Sequence, residues 1–111
     1  MKWAEMIRVR SSAEGVAGLY DGLPRVISGL REETEILDAF LLIHALYVGD
    51  LAVILLWRGT TGRPGKSAEG SILARNFEEY GTVEHSIWMI ASEELNRNSL
   101  FPGRQNRGEI E

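Results

Sequence analysis

Two histidines, His44 and His85, offer the clearest acid–base chemistry in this chain of 111 residues. Histidine changes charge near neutral pH and often serves as a general base or as a hydrogen-bond donor to a substrate oxygen. His44 lies among leucines in the apolar segment 36–57. We therefore predict His44 as the catalytic candidate. The alternative is a buried neutral histidine satisfied by a hydroxyl, a carbonyl or water, because leaving it unpaired would cost about 1–3 kcal/mol.

Four further side chains are predicted to contact a substrate. Tryptophan can form an aromatic wall for a planar ligand, although core or interface packing is the alternative. Arginine near a strand end can anchor an anionic group, although it can equally be solvated. The predicted substrate-binding residues are Arg8, Trp57, His85 and Trp88.

A metal or cofactor site has little support in the sequence. The chain contains no cysteine, and two histidines need a third ligand. Glu84 is predicted to point away from His85, whereas Glu5 on the first strand could supply that ligand. A haem held by His44 or His85 is a further alternative. We predict neither a metal nor a cofactor.

Composition limits the partners. The net charge is −4 and no basic stripe offsets it, which disfavours nucleic acid. The first ten residues mix charged and apolar types, so we predict no signal peptide and a cytoplasmic protein.

Segment 36–57 decides the architecture, since 18 of its 22 residues are apolar. Two aspartates and a histidine disfavour a membrane span, and we predict no membrane association. A β-hairpin fits better, because Gly49 and Asp50 suit a two-residue type II′ turn. That turn would pair Val48 with Leu51 and place His44 and Trp57 on one face of the sheet.

The remaining elements follow from periodicity and capping signals. Residues 2–10 alternate as a strand, and Ser11 with Glu14 forms a capping box for a helix through residue 31. Pro24 should kink or split that helix near residues 21–22. A second helix is predicted from an N-cap at Ser67 to about residue 80, and a last strand over residues 82–91. Residues 1–92 thus form one domain, and residues 93–111 form a polar tail.

Both faces of the predicted hairpin are apolar, so both need cover. The small residues Ala39, Ala45 and Ala52 should admit the helices on one face, which leaves the other bare. A bare sheet would exceed the apolar patch that monomers usually expose. We therefore predict a homodimer in which two sheets stack, with His44 and Trp57 facing the space between them. The ligand cavity would lie between the sheet and the partner, or between the sheet and the helices.

The order β-α-β-β-α-β is the ferredoxin-like α+β arrangement, a four-stranded antiparallel sheet with both helices on one face. With the segments DLAVILLW (50–57) and VEHSIWM (83–89), the chain resembles the dimeric α+β barrel superfamily, which includes antibiotic-biosynthesis-monooxygenase-like proteins. The resemblance implies a barrel around a small-molecule cavity. It also implies a cofactor-independent oxygenase- or isomerase-like enzyme for a small aromatic or apolar substrate. The alternative is a non-catalytic ligand-binding or assembly module.

Overall fold

A computed structural model of the chain describes residues 2–60 and 62–93. The elements are β1 (Trp3–Arg10), α1 (Ala13–Tyr20), α2 (Leu23–Arg31), β2 (Ile36–Ile43), β3 (Asp50–Trp57), α3 (Ala68–Phe77) and β4 (Thr82–Met89), followed by a 3-10 turn, Ala91–Glu93. The strands form one antiparallel sheet in the order β2-β3-β1-β4. The predicted ferredoxin-like α+β fold is confirmed. The predicted tail lies outside the described residues beyond position 93.

The first helical region splits, as Pro24 predicts. Helix α1 ends before Gly22, and Gly22 is the N-cap of α2, where Pro24 occupies the first turn. The predicted capping residue is wrong by one position. Ser12 is the N-cap of α1, and its hydroxyl accepts a hydrogen bond from Gly15 N at 3.0 Å. The Ser11 hydroxyl instead donates to the Tyr80 carbonyl at 2.5 Å, which ties β1 to the end of the α3 region.

Segment 36–57 forms the two antiparallel strands β2 and β3, but the predicted two-residue turn is wrong. Ile43 pairs with Leu51, and residues 44–49 form the loop between the strands. Leu51 thus pairs with Ile43 instead of the predicted Val48, a shift of five residues along β2. Because five is odd, β3 presents its opposite face relative to β2. Gly49 fixes this loop: it has a φ of 107°, and its carbonyl accepts a hydrogen bond from Ser11 N at 2.8 Å.

The core lies between the sheet and the three helices. Ala39 faces the helices, as predicted, but its companions on β3 are Leu51, Val53 and Leu55 rather than Ala52. Every second residue of β1 contributes to the same layer. The buried apolar cluster comprises Ile7, Val9, Val16, Leu19, Leu23, Ile27, Ala39, Leu51, Val53, Leu55, Leu73 and Phe77.

The opposite side of the sheet has no helix on it, and we call it the open face. Strand alternation and register assign it the apolar residues Ala4, Met6, Phe40, Leu42, Ala52, Ile54, Leu56 and Trp88 and the polar residues Arg8, Arg10, Asp50, Thr82, Glu84 and Ser86. Leu42 is 52% exposed and Trp88 is 56% exposed. The helices therefore leave exposed apolar side chains uncovered on this face, as predicted from the two apolar faces of the hairpin, although charged and polar residues lie among them.

Within the described residues, no helix has the length and apolar character needed to cross a bilayer.

Candidate functional site

Glu5 is a fully buried carboxylate on the helix-facing side of β1. Its Oε1 accepts hydrogen bonds from Trp57 Nε1 at 3.0 Å and from Ser67 Oγ at 2.7 Å. Its Oε2 accepts one from Ser67 N at 2.9 Å and lies 2.5 Å from His85 Nε2. These four residues, Glu5, Trp57, Ser67 and His85, are the Glu5 cluster. It joins β1, β3, β4 and the start of α3.

The network assigns the proton on His85. The other groups bonded to Glu5 are an indole N–H, a hydroxyl and a backbone N–H, and all three act as donors to an acceptor-only carboxylate. We therefore assign His85 Nε2 as the donor, so that in the neutral form of the ring the lone pair lies on Nδ1. This is the orientation that a carboxylate imposes on a catalytic histidine when it holds one ring nitrogen and leaves the other to the substrate.

The first turn of α3 lies directly on this pair. Ser67 is the N-cap that the sequence predicts, and its hydroxyl accepts from Gly70 N at 2.8 Å while donating to Glu5. The positive end of the helix dipole thus faces a carboxylate supplied by the sheet. Gly70 makes this approach possible, because a Cβ there would overlap Glu5 Oε2 and would lie 3.0 Å from His85 Nε2.

Trp57 faces the helix layer, which corrects its predicted place in a cavity between two sheets. The odd shift of the hairpin register turns it to that side. It stacks on Trp3 with ring centroids 5.3 Å apart and planes 11° from parallel. The two rings border an open depression with an empty volume of about 500 Å³, lined also by Glu35, Gly59, Arg63, Gly65, Lys66 and Ser67. The stacked indole rings of Trp3 and Trp57 therefore lie beside Ser67, another member of the Glu5 cluster.

The sequence prediction underestimated Glu5, although a signal was present. Glu5 lies between Trp3 and Ile7 on the face of β1 that is otherwise apolar. A carboxylate at such a position must find donors when it is buried, since an unsatisfied one is strongly unfavourable. From the sequence alone, Glu5 is a candidate only as a third metal ligand. His85, predicted as a substrate contact, is bonded to it instead, and its side chain is only 8% exposed.

His44 does not lie mid-strand, so the position predicted for it is wrong. It opens the β2–β3 loop, is exposed, and tilts against Tyr47 with ring centroids 4.7 Å apart. Its Nδ1 accepts hydrogen bonds from Leu46 N at 3.0 Å and Tyr47 N at 3.1 Å. These bonds stabilise the loop and occupy the nitrogen that a base would need. A catalytic role for His44 stays a prediction.

Arg8 lies on the open face, bound to a buried carboxylate. Its Nη2 donates to Asp50 Oδ2 at 2.9 Å, and Glu84 Oε1 lies 3.5 Å from its Nη1. The hydrogen bond from Arg8 lowers the pKa of Asp50 below its ordinary value, against the effect of desolvation, and the same contact raises the pKa of Arg8. Arg8 and His44 both line a cleft with an empty volume of about 540 Å³.

Trp88, by contrast, lies at the opposite end of the open face, since it pairs with Ala4 whereas Arg8 pairs with Glu84. The predicted site residues therefore fall into three places. Trp57 and His85 meet in the Glu5 cluster, Arg8 and His44 line the cleft on the open face, and Trp88 stands apart. Among the residues described, no group of three or more His, Cys, Asp or Glu side chains could hold a metal ion.

Comparison with known proteins yields fold relatives. No family model and no curated protein matches the chain. Rv0793 from Mycobacterium tuberculosis is 18% identical with a TM-score of 0.62, over 81% of this chain and 95% of that one. A mutant of SnoaB, a cofactor-independent oxygenase from Streptomyces nogalater, is 12% identical with a TM-score of 0.58, over 80% and 92%. An antibiotic biosynthesis monooxygenase is 10% identical with a TM-score of 0.58, over 79% and 95%.

Identities this low concern the fold and not the activity. They agree with the fold that the element order predicts. The chain shares the ferredoxin-like α+β fold of these three structures.

Proposed function

We propose that the chain is a homodimeric small-molecule-binding protein whose two copies stack their open faces. Its activity would be a cofactor-independent oxygenation or an isomerase-like proton transfer on a small aromatic or apolar substrate. The neighbours that support this class are the cofactor-independent oxygenase SnoaB and the antibiotic biosynthesis monooxygenase. Arg8 and Trp88, which lie on the open face, would then face the partner sheet.

The open face is the observation that carries the homodimer. Large apolar side chains such as Phe40, Leu42 and Trp88 are exposed across the sheet, while the helices cover only its other side. Exposed apolar patches of this kind mark association surfaces in soluble proteins. A second open face of the same composition would remove both from water, and a two-fold arrangement satisfies both copies equally.

The depression beside Trp57 is the proposed ligand site. It offers an indole surface held in one orientation by Trp3 and Glu5, and two cationic side chains, Arg63 and Lys66, in its lining. Ligand sites typically combine apolar and aromatic lining with a few polar groups. A planar molecule stacked on Trp57 would lie beside Ser67.

A non-catalytic assembly module is the second candidate function, and the β2–β3 loop favours it. Leu46, Tyr47 and Val48 are among the most exposed large apolar residues, and they project from the end of the sheet. A loop of this kind is typical of a contact with another chain. In that case the depression beside Trp57 would bind nothing with specificity.

A charged residue placed on the open face tests the dimer. Leu42→Lys puts an ammonium on the open face, on the edge strand β2, and Val26→Lys is the matched control, because Val26 is 41% exposed on α2, on the far side of the molecule. We expect multi-angle light scattering to give a dimer for the wild type and for Val26→Lys, and a monomer for Leu42→Lys. A dimer that survives Leu42→Lys, or a monomeric wild type, would refute the stacking of open faces.

Quenching of tryptophan fluorescence by a planar aromatic probe, naphthalene carboxylate, separates the two functions. Saturable quenching that is lost in Lys66→Gln supports the small-molecule site. Unsaturable quenching, together with loss of the dimer on Tyr47→Lys, supports the assembly module.

A further inference from the structure

We propose that His85 is the proton-transfer residue of this protein and that Glu5 is the residue that positions it. This inference rests on the proposed function for its reaction class, a proton transfer, and it places the base outside the depression beside Trp57, whose lining does not include His85. The observation behind it is the hydrogen bond of 2.5 Å between His85 Nε2 and Glu5 Oε2, with Glu5 fully buried.

Glu5 is not itself available to a substrate. The residue has no exposed surface, and each of its carboxylate oxygens engages two hydrogen-bonding groups. His85 keeps the only exposed surface of the pair, and within the described residues it makes hydrogen bonds through Nε2 alone. Nδ1 of His85 is therefore the one basic atom of the pair without a hydrogen bond among the described residues, and it is not enclosed as Asp50 Oδ1 is.

The proposed step moves one proton and needs no oxidant. An acidic C–H or O–H of the substrate breaks, its proton bonds to Nδ1, and the electron pair of the broken bond stays on the substrate as a carbanion or phenolate. The imidazole becomes an imidazolium, and its Nε2–H remains bonded to the Glu5 carboxylate, which stabilises the new positive charge. Trp57 and Ser67 keep that carboxylate in place from the opposite side.

The chain has two histidines, so a variant of His44 can be compared with the same variant of His85 in one assay. His44 Nδ1 already accepts two backbone N–H groups, whereas His85 Nδ1 accepts none within the described residues. A nitrobenzisoxazole is a suitable probe, because removal of its single acidic C–H opens the ring to a coloured cyanophenolate without any cofactor. We compare kcat and KM for the wild type, His85→Gln, His44→Gln and Glu5→Gln.

We expect His85→Gln to lower kcat/KM by about 100-fold, within the usual range for a general base, and to lower it by much more than His44→Gln does. Glu5→Gln should lower kcat with little change in KM, because its amide can present an N–H to Nε2 and favour the tautomer with hydrogen on Nδ1. Activity lost with His44→Gln and kept with His85→Gln would overturn the proposal. So would a wild-type rate no greater than that of free imidazole.

A second measurement covers variants that fail to fold. Long-range nitrogen–proton NMR spectra of the wild type report which ring nitrogen of His85 carries hydrogen, and we expect Nε2. Hydrogen on Nδ1 would overturn the assignment of His85 as a base. Light scattering and tryptophan quenching are independent of this step. A protein that dimerises and binds the naphthalene probe but does not open nitrobenzisoxazole would refute this inference and leave the proposed dimer and binding site standing.

Discussion

Replacing Gly70 by alanine is the sharpest probe of the Glu5 cluster. The added methyl carbon would overlap Glu5 Oε2 and would lie 2.6 Å from Glu5 Cδ and 3.0 Å from His85 Nε2. A flexible side chain would normally turn away from such a contact. Glu5 cannot do so without breaking its bonds to Trp57 and Ser67. The substitution therefore forces either the helix or the carboxylate to move.

The expected change in the free energy of unfolding combines two destabilising effects and one stabilising effect. Overpacking costs about 1–3 kcal/mol. A broken bond that leaves a buried polar group unsatisfied costs about 1–3 kcal/mol. Alanine in place of a helical glycine recovers about 1 kcal/mol. We expect Gly70→Ala to lower the free energy of unfolding by about 3 kcal/mol, measured by urea denaturation followed by circular dichroism.

Gly29→Ala is the matched control, because nothing lies within 4 Å of its added Cβ in α2. It should stabilise the protein by about 0.5–1 kcal/mol through helix propensity and lower backbone entropy in the unfolded chain. In a variant that already carries Glu5→Ala, Gly70→Ala should destabilise the protein much less, since the Glu5 Oε2 and Cδ atoms that the methyl group would meet are gone. If Gly70→Ala unfolds at the same urea concentration as Gly29→Ala, α3 does not rest on the carboxylate as described.

Three further predictions, made with four other substitutions, give separate tests. Trp57→Phe should lower the free energy of unfolding by about 2 kcal/mol, because it removes a donor from the buried carboxylate. Trp3→Phe should cost less, because no hydrogen bond of the Trp3 indole is found among the described residues. Equal urea midpoints for the two variants would contradict this. Gly49→Ala should lower the free energy of unfolding by about 3 kcal/mol in the same assay, because φ is 107° and the new Cβ would lie 2.6 Å from the Ser11 carbonyl oxygen, a backbone atom. A loss under about 1 kcal/mol would refute the role of Gly49 in fixing the β2–β3 loop. Asp50→Asn should destabilise the protein at neutral pH and flatten the acid end of its stability curve. Since the pKa of Asp50 is lowered, its ion pair with Arg8 contributes stability above the ordinary carboxyl pKa of about 3.9 and loses it as pH falls through the lower folded value. Parallel stability curves for the two proteins between about pH 6 and pH 2 would show that the pair contributes nothing.

The order of the elements could be predicted because each carries a local signal. Alternation marks β1, Ser67 caps α3, and Pro24 marks the split between α1 and α2. These signals act within a few residues, so a single sequence displays them. The same holds for the bare sheet face, which follows from counting apolar faces against helices.

The hairpin register could not be predicted because its cause is tertiary. The pair Gly49-Asp50 has the composition of a two-residue turn, yet Asp50 begins β3 and is bonded to Arg8 on β1. Gly49 adopts a positive φ where it meets Ser11, which is 38 residues earlier in the sequence. Contacts so distant in sequence leave no local pattern. The odd shift then moved Trp57 from one face of the sheet to the other and left His44 in the loop.

The Glu5 cluster shows the same limit. Its four members come from β1, β3, β4 and the cap of α3, so they meet only after the sheet is formed. Only the unusual position of Glu5 among apolar residues was visible beforehand. A buried carboxylate of this kind implies partners, but the strand order decides which ones they are.

The stacking of two open faces is the central claim, and it is tested most directly by isotope-filtered NMR on a mixture of labelled and unlabelled chains. This experiment detects only contacts between copies. The account predicts intermolecular contacts from Phe40, Leu42 and Trp88. Intermolecular contacts that arise from α2 or α3 instead, or the absence of any in a folded sample, would contradict it.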